Sequence, residues 1–244
     1  MWTSVNAKIK GISHIKSGTP CQDYNISCDN GDTYAIILSD GAGSALHSEI
    51  GANIVCEALK AYVFEDFEYL YNCDAKEFKS RLIHRIRTRL GIAAKKHNSS
   101  KNDFASTLLF VAVNNNKFIC GHLGDGIIGT IDNDNNAIAL SLPENGEFAN
   151  STYFTTSKNY QYHLRIAKGN VNNIQTFFIM SDGSAECLFH RNSKQMAKAV
   201  VLFNDWLKQY KKEEVEKAIC DNMKEIFTRY TNDDCSLSML QKQF

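Results

Sequence analysis

The stretch "YAIILSDGAGS", residues 34 to 44, runs through five apolar residues and stops on Ser39, Asp40 and Gly41. A compact run rich in β-formers reads as a buried strand. A carboxylate at its end is rigidly held yet faces whatever cleft lies beyond the sheet. The pattern recurs, because "FICGHLGDG" ends on Asp125 and Gly126, and "TFFIMSDG" ends on Asp182 and Gly183. One Asp-Gly is an ordinary turn. Repetition at the ends of apolar runs points to carboxylates gathered at one place. Like charges in a low-dielectric site repel, and a divalent cation relieves the repulsion. Hard cations such as magnesium or manganese select oxygen ligands. The glycine after each Asp lets the backbone turn sharply or approach an ion closely, and leaves the Gly41 carbonyl available as a ligand. Asp23 in "CQDYN" and Asp233 in "NDDCS" are further short-loop candidates beside predicted strands.

Outward from these runs, the first forty residues read as short strands with turns. Ile50, Ile54, Val55, Ala58, Leu59 and Tyr62 fall at helical spacing, which predicts a helix over 44–64. A second helix follows, with Phe78, Leu82, Ile83, Ile86 and Leu90 inward. Strands are predicted at 105–113, 117–124 and 126–132, separated by Asn-rich or Gly-containing turns whose residues tolerate positive φ. Residues 143–173 are more polar and read as an elaborated loop or small flap subdomain beside the site. After the strand "IQTFFIMS" come two helical patterns, one carrying Met196, Ala199, Val200, Phe203 and Leu207, the other Val215, Ala218, Ile219, Met223 and Ile226. An alternating strand at 235–240 closes the chain. Elements in this order predict an α+β fold of antiparallel sheets covered by helices, not a doubly wound parallel sheet.

The composition fits one domain over 1–244: 43% hydrophobic residues suffice for a large core, and only 2 prolines leave little room for a stiff linker. Lys+Arg and Asp+Glu balance at 27 each, without the basic footprint of a general nucleic-acid binder. No run approaches the ~18 apolar residues of a membrane span. The 8 cysteines are scattered without a CxxC pair, which suits free thiols in a reducing cytosol. The chain is therefore expected to be cytoplasmic.

Taken in order, "CQD", "SDGAGS", "ASTLL", "GHLGDG", "IMSDG" and "NDDCSLSML" resemble the motif series of the metal-dependent type-2C protein phosphatases, and "GEFANSTYFTTS" (146–157) is similar to a segment of bacterial members. The likeness spans roughly residues 7 to 240. It implies a four-layer α-β-β-α sandwich, two antiparallel sheets flanked by helix pairs, with a dinuclear magnesium or manganese centre at one end and a third, weaker ion beside it. By the resemblance, Asp40 bridges both metals, Gly41 offers its carbonyl, and Asp182 and Asp233 complete the ligands. Asp23 binds or orients metal-bound water, and Asp125 serves the third ion. A metal-bridged water would then attack the phosphorus of phosphoserine or phosphothreonine in line, with no covalent enzyme intermediate. The implied partners are a phosphorylated protein and its cognate kinase.

The pattern breaks at the phosphate contact. Relatives often carry an Arg five residues before the acid of the first motif; here that position is Gly18, and the neighbours able to substitute are Lys16 and His14. Gln22 stands where many relatives have an acid. The rival readings are a phosphatase acting on another phosphomonoester and a phosphoprotein-binding pseudophosphatase. "GDGIIG" (124–129) matches a dinucleotide fingerprint but is followed by a strand tail, not a helix. His122 in its apolar strand reads as a core residue. Ordinary β-packing accounts for Ser106 and Thr107 at a strand start, and the resemblance implies that they support the site.

Overall fold

The computed structural model describes residues 1–144 and 152–243. The chain opens with β1 (Trp2–Ile9), the short helix α1 (Ile12–Ser17), β2 (Tyr24–Asp29) and β3 (Thr33–Ser39). Helices α2 (Ser48–Glu65), α3 (Phe67–Asn72) and α4 (Ala75–Lys96) follow, then β4 (Leu108–Asn114), β5 (Lys117–Leu123), β6 (Ile127–Asp132) and β7 (Ala137–Ser141). Beyond them lie α5 (Tyr160–His163), β8 (Arg165–Asn170), β9 (Ile174–Met180) and α6 (Asp182–Leu188). The small ribbon β10 (Phe189–His190) and β11 (Gln195–Met196), helices α7 (Lys198–Gln209) and α8 (Lys212–Glu225), and β12 (Cys235–Lys242) complete the chain.

Two five-stranded sheets form the centre, ordered β1-β12-β9-β6-β7 and β2-β3-β4-β5-β8. Every pairing within them is antiparallel. The strand alternation explains the layering. In β4, Leu109, Val111 and Val113 point between the sheets, while Leu108, Phe110 and Ala112 point at α2 and α4. β3 divides the same way, with Ile36 and Leu38 between the sheets and Ala35 and Ile37 toward the helices. In β9, Phe177 and Ile179 face inward while Phe178 and Met180 meet the layer of α6, α7 and α8. Central strands buried on both faces must be apolar throughout, which is why these runs lack the polar alternation of a half-solvated sheet. Each fully buried Leu, Ile or Phe contributes ~1.5–3 kcal/mol. The result is the expected α-β-β-α sandwich.

The helices form where the spacing placed them, with local differences. α2 begins at Ser48, since residues 42–47 form turns that route the chain out of the site. α4 is capped by Asp74, whose carboxylate accepts the Glu77 N–H at 2.8 Å. The region expected to be a loop contains α5 and β8, an edge strand of the second sheet. Its half-buried sequence RIAKGN carries no apolar run, which is why it escaped a strand assignment. β7 was likewise not expected; it is short, with Ile138 and Leu140 on its exposed side. All of "GEFANS" (146–151) lies outside the described residues. All eight cysteines are free.

Candidate active site

Strand register brings the carboxylates together. Tyr24 pairs with Ser39, so Asp23 and Asp40 sit side by side just beyond the ends of β2 and β3. Met180 pairs with both Ile127 and Leu237, which sets the Asp125 loop and the residues before β12 against the end of β9. Asp182 is the first residue of α6. One carboxylate oxygen from each of Asp40, Asp125 and Asp182 lies within 4.8 Å of the others. Asp233 stands on the rim of the same cleft, whose volume is about 600 Å³.

Backbone contacts fix these groups. The Asp40 N–H donates to the Thr107 hydroxyl at 2.9 Å, the Thr107 N–H returns a bond to the Asp40 carbonyl at 2.8 Å, and the Ser39 hydroxyl donates to the Thr107 carbonyl at 2.6 Å. Ser106 makes an isolated bridge with Gly41, and its carbonyl accepts the Thr155 N–H at 2.9 Å. The "ASTLL" segment thus clamps the Asp40 loop from behind. The glycines serve close approach. A Cβ on Gly41 would meet Ser48 at 2.7 Å, and one on Gly183 would lie 2.2 Å from the Asp234 carbonyl oxygen. Both fall inside any real Cβ contact, so these loops pack only with glycine.

The electrostatics show crowding. Asp23 is buried, and neither of its carboxylate oxygens has a hydrogen-bond partner. Burial pushes its carboxyl up to about 7, with the Asp234 and Asp182 charges adding and nearby Ser236 opposing. Asp40 is pushed well above the usual range, first by burial and then by Asp23 and Asp182. Burial and then Asp182 raise Asp125 to about 6. Asp233 is raised by its lost hydration and then by Asp182. Several carboxylates held together with an orphaned one among them form a poor anion set and a good oxygen-donor set for hard divalent cations.

The residues named for phosphate separate. His14 lines the cleft, whereas Lys16 lies exposed on α1 outside it. Gln22 lines the cleft, with its N–H donated to Asp234 at 2.6 Å and its carbonyl accepting the Gly41 N–H at 3.1 Å. His122 lies in the core, bonded to Ser141 at 2.9 Å and to Arg165 at 3.0 Å, and burial drives its imidazole down to about 3, so it is neutral. The "GDGIIG" segment enters β6, which leaves no helix to receive a pyrophosphate. Sequence reasoning missed Asp234, a buried carboxylate that accepts the Gly11 N–H at 2.7 Å and binds His14 at 2.9 Å. The doubled Asp of "NDD" was its only trace. Tyr230, Glu186 and Phe154 on the rim carried no sequence signal at all.

The molecule is an α-β-β-α sandwich with a cleft of carboxylates at the strand ends, and the comparisons give its family. The model of the family described as Protein phosphatase 2C matches residues 10–224, and the chain belongs to that family. It is 28% identical over 166 residues to serine/threonine-protein phosphatase 3 of Escherichia coli (strain K12), a match covering 64% of each protein. The match thus spans slightly less than two thirds of that curated relative's length. Among solved structures, a bacterial serine phosphatase superposes with a TM-score of 0.71 at 12% identity, over 100% of this chain and 98% of that one. The serine/threonine phosphatase Stp1 from Staphylococcus aureus gives 0.69 at 13% identity, over 100% and 96%. RsbX in complex with magnesium gives 0.60 at 14% identity, over 98% and 94%. At these identities the structural matches establish the fold.

Proposed function

We propose that the chain is a metal-dependent protein serine/threonine phosphatase. The observation that carries the reading is the convergence of Asp40, Asp125 and Asp182 beside Asp23, whose buried carboxylate has no partner of its own. Family membership, the name of the Escherichia coli relative and the magnesium in the RsbX structure support it. Asp40, Asp182 and Asp233, with the Gly41 carbonyl, would hold two ions of magnesium or manganese. Asp125 would serve a third. Bound there, the ions supply an acidified water and positive charge opposite the phosphoryl oxygens. Asp23, buried beside Asp40, would help orient that water. Thr107 and Ser106 keep the Asp40 loop in place. With Lys16 outside the cleft, contact with the phosphate falls to His14.

Thr152 and Phe154, from the polar region 143–173, line the cleft wall, which supports a role for that region in choosing substrates. A phosphoprotein substrate, a partner kinase and a cytoplasmic setting belong to the same proposal. Among the described residues, no helix is long and apolar enough to cross a membrane. The pseudophosphatase reading draws on the lack of any Lys or Arg among the described residues of the cleft wall. The complete carboxylate set argues against it, since a pure phosphate binder gains nothing from clustered anions. Manganese-dependent hydrolysis of p-nitrophenyl phosphate, lost in Asp40→Asn, tests the proposal. Retained hydrolysis in that variant would refute the metal assignment, and a phosphopeptide panel then tests protein substrates against other phosphomonoesters.

A further inference from the structure

Resting on that reading, we propose that a cationic groove between α4 and residues 155–160 docks an acidic segment of the phosphoprotein substrate, outside the carboxylate cleft. Residues 78–102 hold eight Lys and Arg and no Asp or Glu, in a chain whose formal charge is zero. Part of that charge is neutralised nearby, since Arg81 pairs with Glu77 and Arg85 with Glu65. His84, Arg87 and Lys101 instead line a groove of about 320 Å³, together with Ser80, Tyr160 and the buried Ile83. No carboxylate is among the described residues that line it, and the chain on its far side, residues 155–161, carries none either. Lys101 is exposed and makes no ion pair among the described residues. A Cβ on Gly91 would lie 3.0 Å from its Cε and 3.4 Å from its Nζ, so this ammonium rests against α4. Unmatched positive potential in a groove is complementary to carboxylates on a partner.

The groove is joined to the cleft wall by a short, pinned piece of chain. Arg87 Nε donates to the Thr155 carbonyl at 3.1 Å and Nη2 to the Ser157 carbonyl at 2.5 Å, and the guanidinium lies 4.5 Å from the Tyr160 ring centroid. Thr152 and Phe154, just before this segment, line the carboxylate cleft. Phe154 and Tyr160 are six residues apart, so their backbones are separated by at most ~22 Å. A turn, with the Ser157 N–H donated to the Phe154 carbonyl at 2.9 Å, shortens that path. An extended substrate bridges such a span with about six residues. The phosphoryl group belongs at the cations of the cleft, which leaves the groove for carboxylates several residues away. A pocket of this volume admits one or two acidic side chains. A nucleic-acid duplex needs a broad basic front, which the balanced charge of this chain does not supply.

The test compares phosphoserine peptides. One carries a short run of Glu about six residues before the phosphoserine, one carries it about six residues after, and each has a version with Gln in place of Glu. Wild type, Lys101→Glu and Arg89→Glu, loaded with manganese, are assayed at ~0.15 M salt, where exposed charges more than ~8 Å apart are largely screened. Arg89→Glu makes the same charge change on α4 at an exposed position outside the groove. In wild type, KM for one acidic peptide is expected to fall ~5–10-fold below that of its Gln version, as a few exposed ion pairs allow. Lys101→Glu should bring the two KM values within ~2-fold, while Arg89→Glu keeps most of the preference. Turnover of p-nitrophenyl phosphate, too small to reach the groove, should hold within ~2-fold in both variants. No preference in wild type, or equal losses in the two variants, overturns the proposal. Tighter binding of a DNA duplex than of the acidic peptide, read by fluorescence polarisation, overturns it as well. If wild type hydrolyses no phosphomonoester, the phosphatase reading fails separately, and NMR judges the groove: unphosphorylated acidic peptide should shift the amides of residues 80–101, and unmoved amides sink the docking site too.

Discussion

Asp23→Asn offers a direct measure of how much the carboxylate cluster destabilises the metal-free fold. Burial moves the Asp23 carboxyl from 3.8 to about 7. A folded-state pKa above the unfolded one means the folded chain holds its proton more tightly. The side chain's contribution to stability is therefore best at low pH, worsens between pH 3.8 and about 7, and is constant above that. At about 1.4 kcal/mol per pH unit, ionised Asp23 costs the fold ~4 kcal/mol at pH 8 and ~1.5 kcal/mol at pH 5. Asn is neutral at both, so its own burial cost cancels when the two pH values are compared. Stability of Asp23→Asn relative to wild type should thus improve by ~3 kcal/mol from pH 5 to pH 8, a relative gain in Tm of ~6–12 °C for a domain of this size. The assay is urea unfolding of both proteins, stripped with EDTA, at intervals from pH 5 to pH 8. Saturating manganese should close the gap at pH 8 by stabilising wild type preferentially. A difference between the proteins that does not change with pH would show that Asp23 is not a strained buried acid, and the electrostatic argument for the metal site would fail.

Other substitutions probe separate parts of the argument. Asp40→Asn should lower turnover at least ~10³-fold and weaken manganese binding by calorimetry, because it removes a charged ligand from the centre of the cluster. Lys16→Ala should leave KM for p-nitrophenyl phosphate within twofold, whereas His14→Ala should raise it ~10-fold by deleting a charge-assisted bond; the reverse order would return Lys16 to the site. Gly183→Ala puts a methyl 2.2 Å from the Asp234 carbonyl, so a loss of ~2 kcal/mol or more is expected in urea unfolding, with weakened manganese binding. Phe110→Ala, which empties a fully buried position stacked on Phe78, should cost ~3–5 kcal/mol.

Legibility varied with the physics behind each element. The central strands β3, β4, β5, β6 and β9 were readable because burial on both faces leaves an unbroken apolar run. α2, α4, α7 and α8 were readable because each buries one stripe at helical spacing. β7 and β8 were not, since edge strands need little burial and β8 keeps polar residues on a pleat that solvent reaches. The carboxylate set was visible as repeated Asp-Gly turns after apolar runs, and family resemblance supplied the roles. No spacing rule could choose between His14 and Lys16. They sit two residues apart, and the turn of α1 alone sends one toward the cleft and the other to solvent.

By itself, the sequence determined the layers, their antiparallel character and the residues able to bind hard cations, because burial periodicity and side-chain chemistry are local properties of the chain. Tertiary structure decided which acids meet. Register pairs Tyr24 with Ser39 and Met180 with both Ile127 and Leu237, and so carries Asp40, Asp125 and Asp182 from distant positions into one cleft, with Asp23 buried beside Asp40. It also decided that neighbouring Asp233 and Asp234 part company, one exposed to the cleft and one buried under His14. That separation depends on a backbone direction set by Gly11, Gln22 and the start of β12, and distances across the fold are not written in any one segment.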